Sequence, residues 1–169
     1  MLRVDLRDLA AGPVETTGSI GPADPLFEGL GVGLTAPVVV AGRLQATGEG
    51  RFYWHGRIST TVREQCRRCL TDVSLPVTAD IGVLFTQDGA DDDPDAYVVP
   101  ADADEVDITP AVREELILAV PQYALCREDC RGLCPNCGKD RNAGPCGCAT
   151  PSVDPRWRVL EALKLRGKG

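Results

Sequence analysis

From Pro37 to Phe85 the chain reads as short β-type runs separated by turn residues. Val38-Val39-Val40 leads into Arg43 to Thr47, and Gly48-Glu49-Gly50 forms a turn. Phe52 to Val62 is rich in aromatic and β-branched residues, and Val73 to Phe85 continues in the same style. Arg57 to Arg63 alternates imperfectly between apolar and polar, as a half-buried strand does. These runs predict a meander of antiparallel strands. Helical signals lie on either side. Asp24-Pro25 sets a capping residue before a proline at the first helical position, with Leu26, Phe27 and Leu30 as an apolar face. Thr109-Pro110 repeats that signal and opens a helix through Val120, with Val112, Leu116 and Ala119 or Val120 on one face, until Pro121 stops it. A last helix is expected from Asp154-Pro155, with Trp157, Leu160 and Leu163 on one side and basic residues on the other.

Strands followed by helices predict an α+β domain: an antiparallel meander, barrel-like, with a few helices and a cysteine-rich C-terminal segment. The body is expected over 1–121, with an acidic loop at 87–107. The cysteine-rich segment and final helix are expected over 122–169. At 169 residues and 18.0 kDa the chain has the size of one domain with room for one small appendage. Its hydrophobic share of 43% is that of a folding globular protein, which excludes a disordered or fibrous chain.

A net charge of −7 argues at first against a phosphate-bearing partner. The acidity is local, however. Nine acids and no base fall between residues 88 and 107, and without them the chain carries +2. That stretch reads as a self-repelling solvated loop, a docking strip for a basic protein, or a mimic of RNA. Beyond Pro155, five bases face Glu161 alone, for a local charge of +4. The first eight residues carry charges too closely spaced for a signal-peptide core, and the longest apolar run, Leu116 to Val120, is far too short for a membrane span. The expected location is the cytoplasm, where clustered cysteines read as metal ligands or redox thiols before disulfides.

Eight cysteines form four pairs: Cys66/Cys69, Cys126/Cys130, Cys134/Cys137 and Cys146/Cys148. A Cys-x-x-Cys turn aims two thiolates at one ion, and zinc takes four soft ligands in a tetrahedron. Cys134-Pro-Asn-Cys137-Gly138 has that form. Two partitions are compatible with the spacing. In one, Cys134, Cys137, Cys146 and Cys148 make a local site that orders a segment too rich in glycine and proline for a core. Cys66, Cys69, Cys126 and Cys130 then make a long-range site, stapling a strand end to the chain after the helix. In the other, a single zinc takes four of the six C-terminal cysteines and leaves Cys66 and Cys69 as spare thiols. A thioredoxin-like role for Cys66-x-x-Cys69 fits poorly, because Thr71-Asp72 and Pro76 follow where a helix would start. Catalysis has no support either. The candidate ligands are all sulfur, the one histidine, His55, lies in a strand-like run, and no hydrolase, metalloprotease or nucleotide-binding motif occurs in context.

Four blocks in order, Glu64-Gln-Cys-Arg-Arg-Cys-Leu70, Glu114-Glu-Leu-Ile-Leu-Ala-Val-Pro121, Cys126-Arg-Glu-Asp-Cys-Arg-Gly-Leu-Cys-Pro-Asn-Cys-Gly138 and Asp154-Pro-Arg-Trp157, resemble the YceD family of large ribosomal RNA accumulation proteins; Asp5-Leu-Arg-Asp-Leu9 fits as well. The resemblance implies a non-enzymatic assembly factor that binds 23S rRNA, its precursor, or an early large-subunit protein. It implies zinc ligation by Cys66, Cys69, Cys126, Cys130, Cys134 and Cys137. It bears less on Cys146 and Cys148, a pair that some members lack. No small-molecule substrate or membrane partner is implied. On the RNA reading, the contacts are Arg67, Arg68, Arg127, Arg131, Lys139 and Arg141 around the cysteines, with Arg156, Arg158, Lys164 and Arg166 in the tail. On the alternative reading, the chain is a zinc-stabilised interaction module whose acidic loop docks and chaperones a basic ribosomal protein.

Overall fold

The computed structural model of the chain describes residues 2–87, 93–148 and 160. The expected C-terminal helix, with Arg156, Arg158, Lys164 and Arg166, falls outside them apart from Leu160, and so do Asp88, Asp91 and Asp92 of the acidic run. Eight strands and one α-helix are described: β1 (Arg3–Asp5), β2 (Val14–Ile20), β3 (Gly33–Leu34), β4 (Val38–Gly48), β5 (Arg51–Gln65), β6 (Asp72–Gln87), β7 (Tyr97–Val99), β8 (Glu105–Asp107) and α1 (Thr109–Ala119). The predicted meander is the antiparallel run β2-β4-β5-β6. Short β3 pairs with the far end of β5, and β7 adds to β6 in parallel.

The sheet is open, which corrects the barrel-like expectation. Its edge strands β2 and β7 do not pair, because only β4, β5 and β6 exceed ten residues and β7 covers just Phe85 to Gln87 of its neighbour. Period-two alternation sets the buried face, where Phe52, Trp54, Ile58 and Val62 of β5 meet Val38, Val40 and Leu44 of β4 and Val77, Ile81 and Phe85 of β6. Trp54 is fully buried, and its indole Nε1 donates to Thr16 Oγ1 of β2 at 2.8 Å. The ring lies against Gly42 and Gly56, which face each other across β4 and β5; a Cβ on Gly56 would stand 2.4 Å from the indole.

Helix α1 lies against β6 and buries Ala111, Val112 and Leu116. Its start differs from the expectation in one detail: the N-cap residue is Ile108, with no capping side chain, and Asp107 just before it accepts from the Thr109 backbone N–H at 2.9 Å and from the Thr109 hydroxyl. The other expected helix is a single 3-10 turn, Pro25–Phe27, with Asp24 accepting from the Leu26 N–H. The acidic stretch is partly folded, because apolar residues within it join the core. Tyr97 and Val99 put β7 beside β6, and Val106 puts β8 beside β1, where Arg3 pairs with Glu105 and Asp107. Among the described residues no helix is long and apolar enough to cross a membrane.

Candidate metal centres

The eight cysteines converge as two tetrads: Cys66, Cys69, Cys126 and Cys130, and Cys134, Cys137, Cys146 and Cys148. Within each, all Sγ atoms lie within 4.8 Å of one another. This is the partition into two sets of four; the structure does not leave Cys66 and Cys69 as spare thiols. In the first tetrad, Cys66 Sγ lies 3.8 Å from Cys130 Sγ, and Cys69 Sγ lies 3.6 Å from Cys126 Sγ. Four sulfurs around an ion at about 2.3 Å define a tetrahedron with edges of about 3.8 Å. The four donors therefore already stand where a tetrahedral ion needs them, and each tetrad can hold one metal ion.

Two local turns built alike carry the tetrads. In the first, Leu70 N–H donates to Cys66 O at 2.8 Å and Cys66 N–H to Thr71 O at 2.9 Å; in the second, Gly138 N–H donates to Cys134 O and Cys134 N–H to Lys139 O, each at 2.9 Å. The fifth residue of both turns has a positive φ, 60° at Leu70 and 70° at Gly138. In both, backbone N–H groups two and three residues on also face the leading sulfur. For Cys66 the largest effect is the backbone N–H of Cys126; together with those of Arg68 and Cys69 it outweighs burial and lowers the thiol to about 6. For Cys134 the N–H groups of Cys137 and Asn136 lead, again to about 6. Their partners move the other way. Cys126 is pushed up to about 12 by its contact with Cys130, then by burial and by Cys69 and Cys66. Cys148 is pushed up to about 12 by Cys137 and Cys134. A bare set of four thiols cannot comfortably hold four negative charges. A bound cation removes that conflict, which is why this donor set fits a soft divalent metal.

The first turn closes the β5–β6 hairpin, with no helix after it, so the thioredoxin-like context is absent. The residue following α1, Val120, has extended backbone, and Pro121 to Leu125 then bring Cys126 back to that hairpin. Arg67 N–H donates to Ala124 O at 3.0 Å there. Of the described basic residues, Arg68 is committed to structure: its guanidinium donates to Glu128 O and Cys130 O at 3.0 and 2.9 Å. Arg127 faces Asp129, and Lys139 donates to Pro145 O. Arg67 stacks 4.9 Å above the ring of Tyr123, which is 68% exposed. Arg131 and Arg141 are exposed, and the loop brings their backbones together. Two residues of these centres escape a reading of the sequence. Tyr123 carries no motif, and Asn142, which donates to Cys130 Sγ at 3.4 Å, sits twelve residues from its partner.

The sequence model of the family described as "Large ribosomal RNA subunit accumulation protein YceD" matches residues 54–164. Similar proteins include YlbN of Bacillus subtilis, 33% identical over 76% of this chain and 74% of that protein. A Mycobacterium tuberculosis protein is 30% identical over 75% of this chain and 64% of its own length. The chloroplastic large ribosomal RNA subunit accumulation protein YCED homolog 1 of Zea mays is 23% identical over 89% of this chain and 62% of its own. The chain thus spans somewhat under two thirds of the mycobacterial and maize relatives. No solved structure matches it.

Proposed function

The chain belongs to the YceD family of large ribosomal RNA subunit accumulation proteins, and from that premise we propose that it is a non-catalytic factor that secures 23S rRNA or its precursor during large-subunit assembly in the cytoplasm. The observation that carries the reading is the pair of cysteine tetrads, each with its sulfurs within 4.8 Å of one another, set on loops that bear Arg67, Arg131, Lys139 and Arg141. On this reading each tetrad holds one Zn²⁺. The ions supply no reaction; they fix loops that apolar burial is too sparse to hold, and the loops present cations to phosphate. The name of the maize relative supports the RNA-linked role. An early large-subunit protein is the other partner class such a factor serves.

Crosslinking in cells followed by sequencing and proteomics of the attached molecules tests the reading, and 23S rRNA fragments are the expected product. In vitro, affinity for such fragments should fall with salt by roughly 0.7 in log K per log salt for each phosphate contacted on single-stranded RNA. Reversing Arg131 or Arg141 to glutamate should lower that slope by about one contact. Affinity indifferent to salt and to both reversals, or protein-only crosslinks, rejects RNA as the primary partner. Metal analysis should return two zinc ions per chain.

A further inference from the structure

Asn142 belongs to the loop between the two halves of the second tetrad, five residues after Cys137 and four before Cys146, yet its side chain serves the first tetrad. Its Nδ2 donates to Cys130 Sγ at 3.4 Å and to Asp140 Oδ1 at 2.7 Å, while its Oδ1 accepts from the Arg131 backbone N–H at 2.8 Å. The amide has one workable orientation. Turned over, its oxygen would face a carboxylate and a sulfur, and its NH₂ would face another N–H.

The backbone around it repeats the linkage. Arg141 N–H donates to Gly132 O at 2.9 Å, Leu133 bridges Asp140, and Leu133 N–H donates to Arg68 O of the first turn at 3.0 Å. Gly132 makes that crossing possible: its φ is +68°, and a Cβ there would stand 2.7 Å from Arg68 O. The 132–142 segment therefore lies across the first centre, while Cys134 and Cys137 within it and Cys146 and Cys148 after it form the second.

We infer that the two centres form one cooperative unit in which Asn142 is the positioning residue. Metal at Cys134, Cys137, Cys146 and Cys148 fixes the loop carrying Asn142, and Asn142 then holds the Cys130 sulfur in place for the first metal. The inference rests on the reading of both tetrads as metal centres. Hydrogen bonds of this kind to a metal-bound group typically change metal affinity by 10- to 100-fold. By linkage, filling the first centre tightens the second by the same factor.

Co²⁺ is a suitable probe, because thiolate-to-cobalt charge-transfer bands report each tetrad directly. Wild-type protein should bind two equivalents. The Cys146→Ala/Cys148→Ala variant, which retains only the first tetrad, should bind one equivalent about 10- to 100-fold more weakly than the wild-type first centre in chelator competition. Asn142→Ala should weaken the first centre comparably with all eight cysteines present, and combining the changes should add little. In ¹¹³Cd NMR the first-centre resonance of the eight-cysteine protein, assigned as the one that survives in Cys146→Ala/Cys148→Ala, should shift in Asn142→Ala. Two equivalents bound by the wild-type protein, with first-centre affinity unchanged in both variants, overturns the inference and leaves the metal reading standing. Full additivity of the two changes removes Asn142 as the link. Failure of the wild-type protein to bind Co²⁺ overturns both readings. The Cys146→Ala/Cys148→Ala arm decides the matter even if Asn142→Ala does not fold.

Discussion

The two cysteine turns share one hydrogen-bond pattern but place different residues at the left-handed position, Leu70 with φ of 60° and Gly138 with φ of 70°. A left-handed conformation costs a residue with a Cβ about 1–2 kcal/mol. Glycine avoids that cost but loses about 0.5–1 kcal/mol more backbone freedom on folding. The balance favours glycine by about 0.5–1 kcal/mol at both sites. Leu70 is 57% exposed, so Leu70→Gly gives up little burial, and nothing lies within 4 Å of a Cβ at Gly138, so Gly138→Ala adds no clash. Since a tenfold change in affinity is about 1.4 kcal/mol, Leu70→Gly should tighten zinc at the first tetrad by about 2- to 5-fold, and Gly138→Ala should weaken it at the second by the same factor. Competition with a chromophoric chelator measures both, and thermal unfolding of the zinc-loaded protein should move by about 1–4 °C in the matching directions. Opposite signs are the essential result. If both substitutions weaken zinc, or Gly138→Ala has no effect, backbone conformation at the fifth position does not govern these turns.

Other parts of the structure make their own predictions. Zinc loading at pH 7.5 should release at least two protons per chain, since Cys126 and Cys148, held near 12, are protonated there, whereas Cys66 and Cys134, near 6, are already ionised; calorimetry in buffers of different ionisation enthalpy counts them, and a value below two refutes the assignment. For the same reason zinc affinity should fall as pH drops through neutrality, and more steeply below about 6, where the two low thiols also take up protons. Thr16→Val should cost about 1–3 kcal/mol in urea unfolding with an unchanged m-value, because the buried Trp54 N–H loses its acceptor. Gly56→Ala should cost about 1–3 kcal/mol by forcing a Cβ into the indole, read as a lower urea midpoint.

The central sheet was legible because Phe52, Trp54, Ile58 and Val62 announce a buried face at period two, and because Gly48-Glu49-Gly50 breaks the chain where β4 turns into β5. The start of α1 was legible from Pro110, though its N-cap lies one residue earlier than Thr109, at Ile108, whose apolar side chain gives no capping signal. β7 and β8 were hidden. Each has three residues, each is surrounded by acids, and each exists through pairing with a strand distant in sequence, β7 with β6 and β8 with β1. Openness of the sheet was hidden for a related reason, since closure depends on edge lengths that no local pattern encodes. Among the site residues, the cysteines declared themselves by spacing, and the arrangement in two tetrads followed from the return of the chain after α1. Arg68 and Asn142 did not. A guanidinium bound to two carbonyls and an amide bound to a sulfur look like any other polar surface residues until the loops are folded.

The position of the first tetrad explains why the fold invests in so long a hairpin. β5 and β6 stay in unbroken register from Arg51 opposite Thr86 to Gln65 opposite Asp72, so Cys66 and Cys69 stand at the end of the longest strand pairing among the described residues. On the cysteine side, the apolar cluster consists of Cys66, Cys69 and Cys130 with only Val73, Leu125 and Leu133 around them. That is too small a core to dock residues 126–148 by burial. On the proposed reading, coordination at the first tetrad supplies the missing attachment, and the Leu133 N–H bond to Arg68 O and the Asn142 bonds tie the loop of the second tetrad to the first. With both tetrads filled, the basic loops would inherit the order of the sheet through sulfur and metal. A factor that holds an RNA segment in one geometry needs that property, and surface cations on an unanchored loop would not provide it.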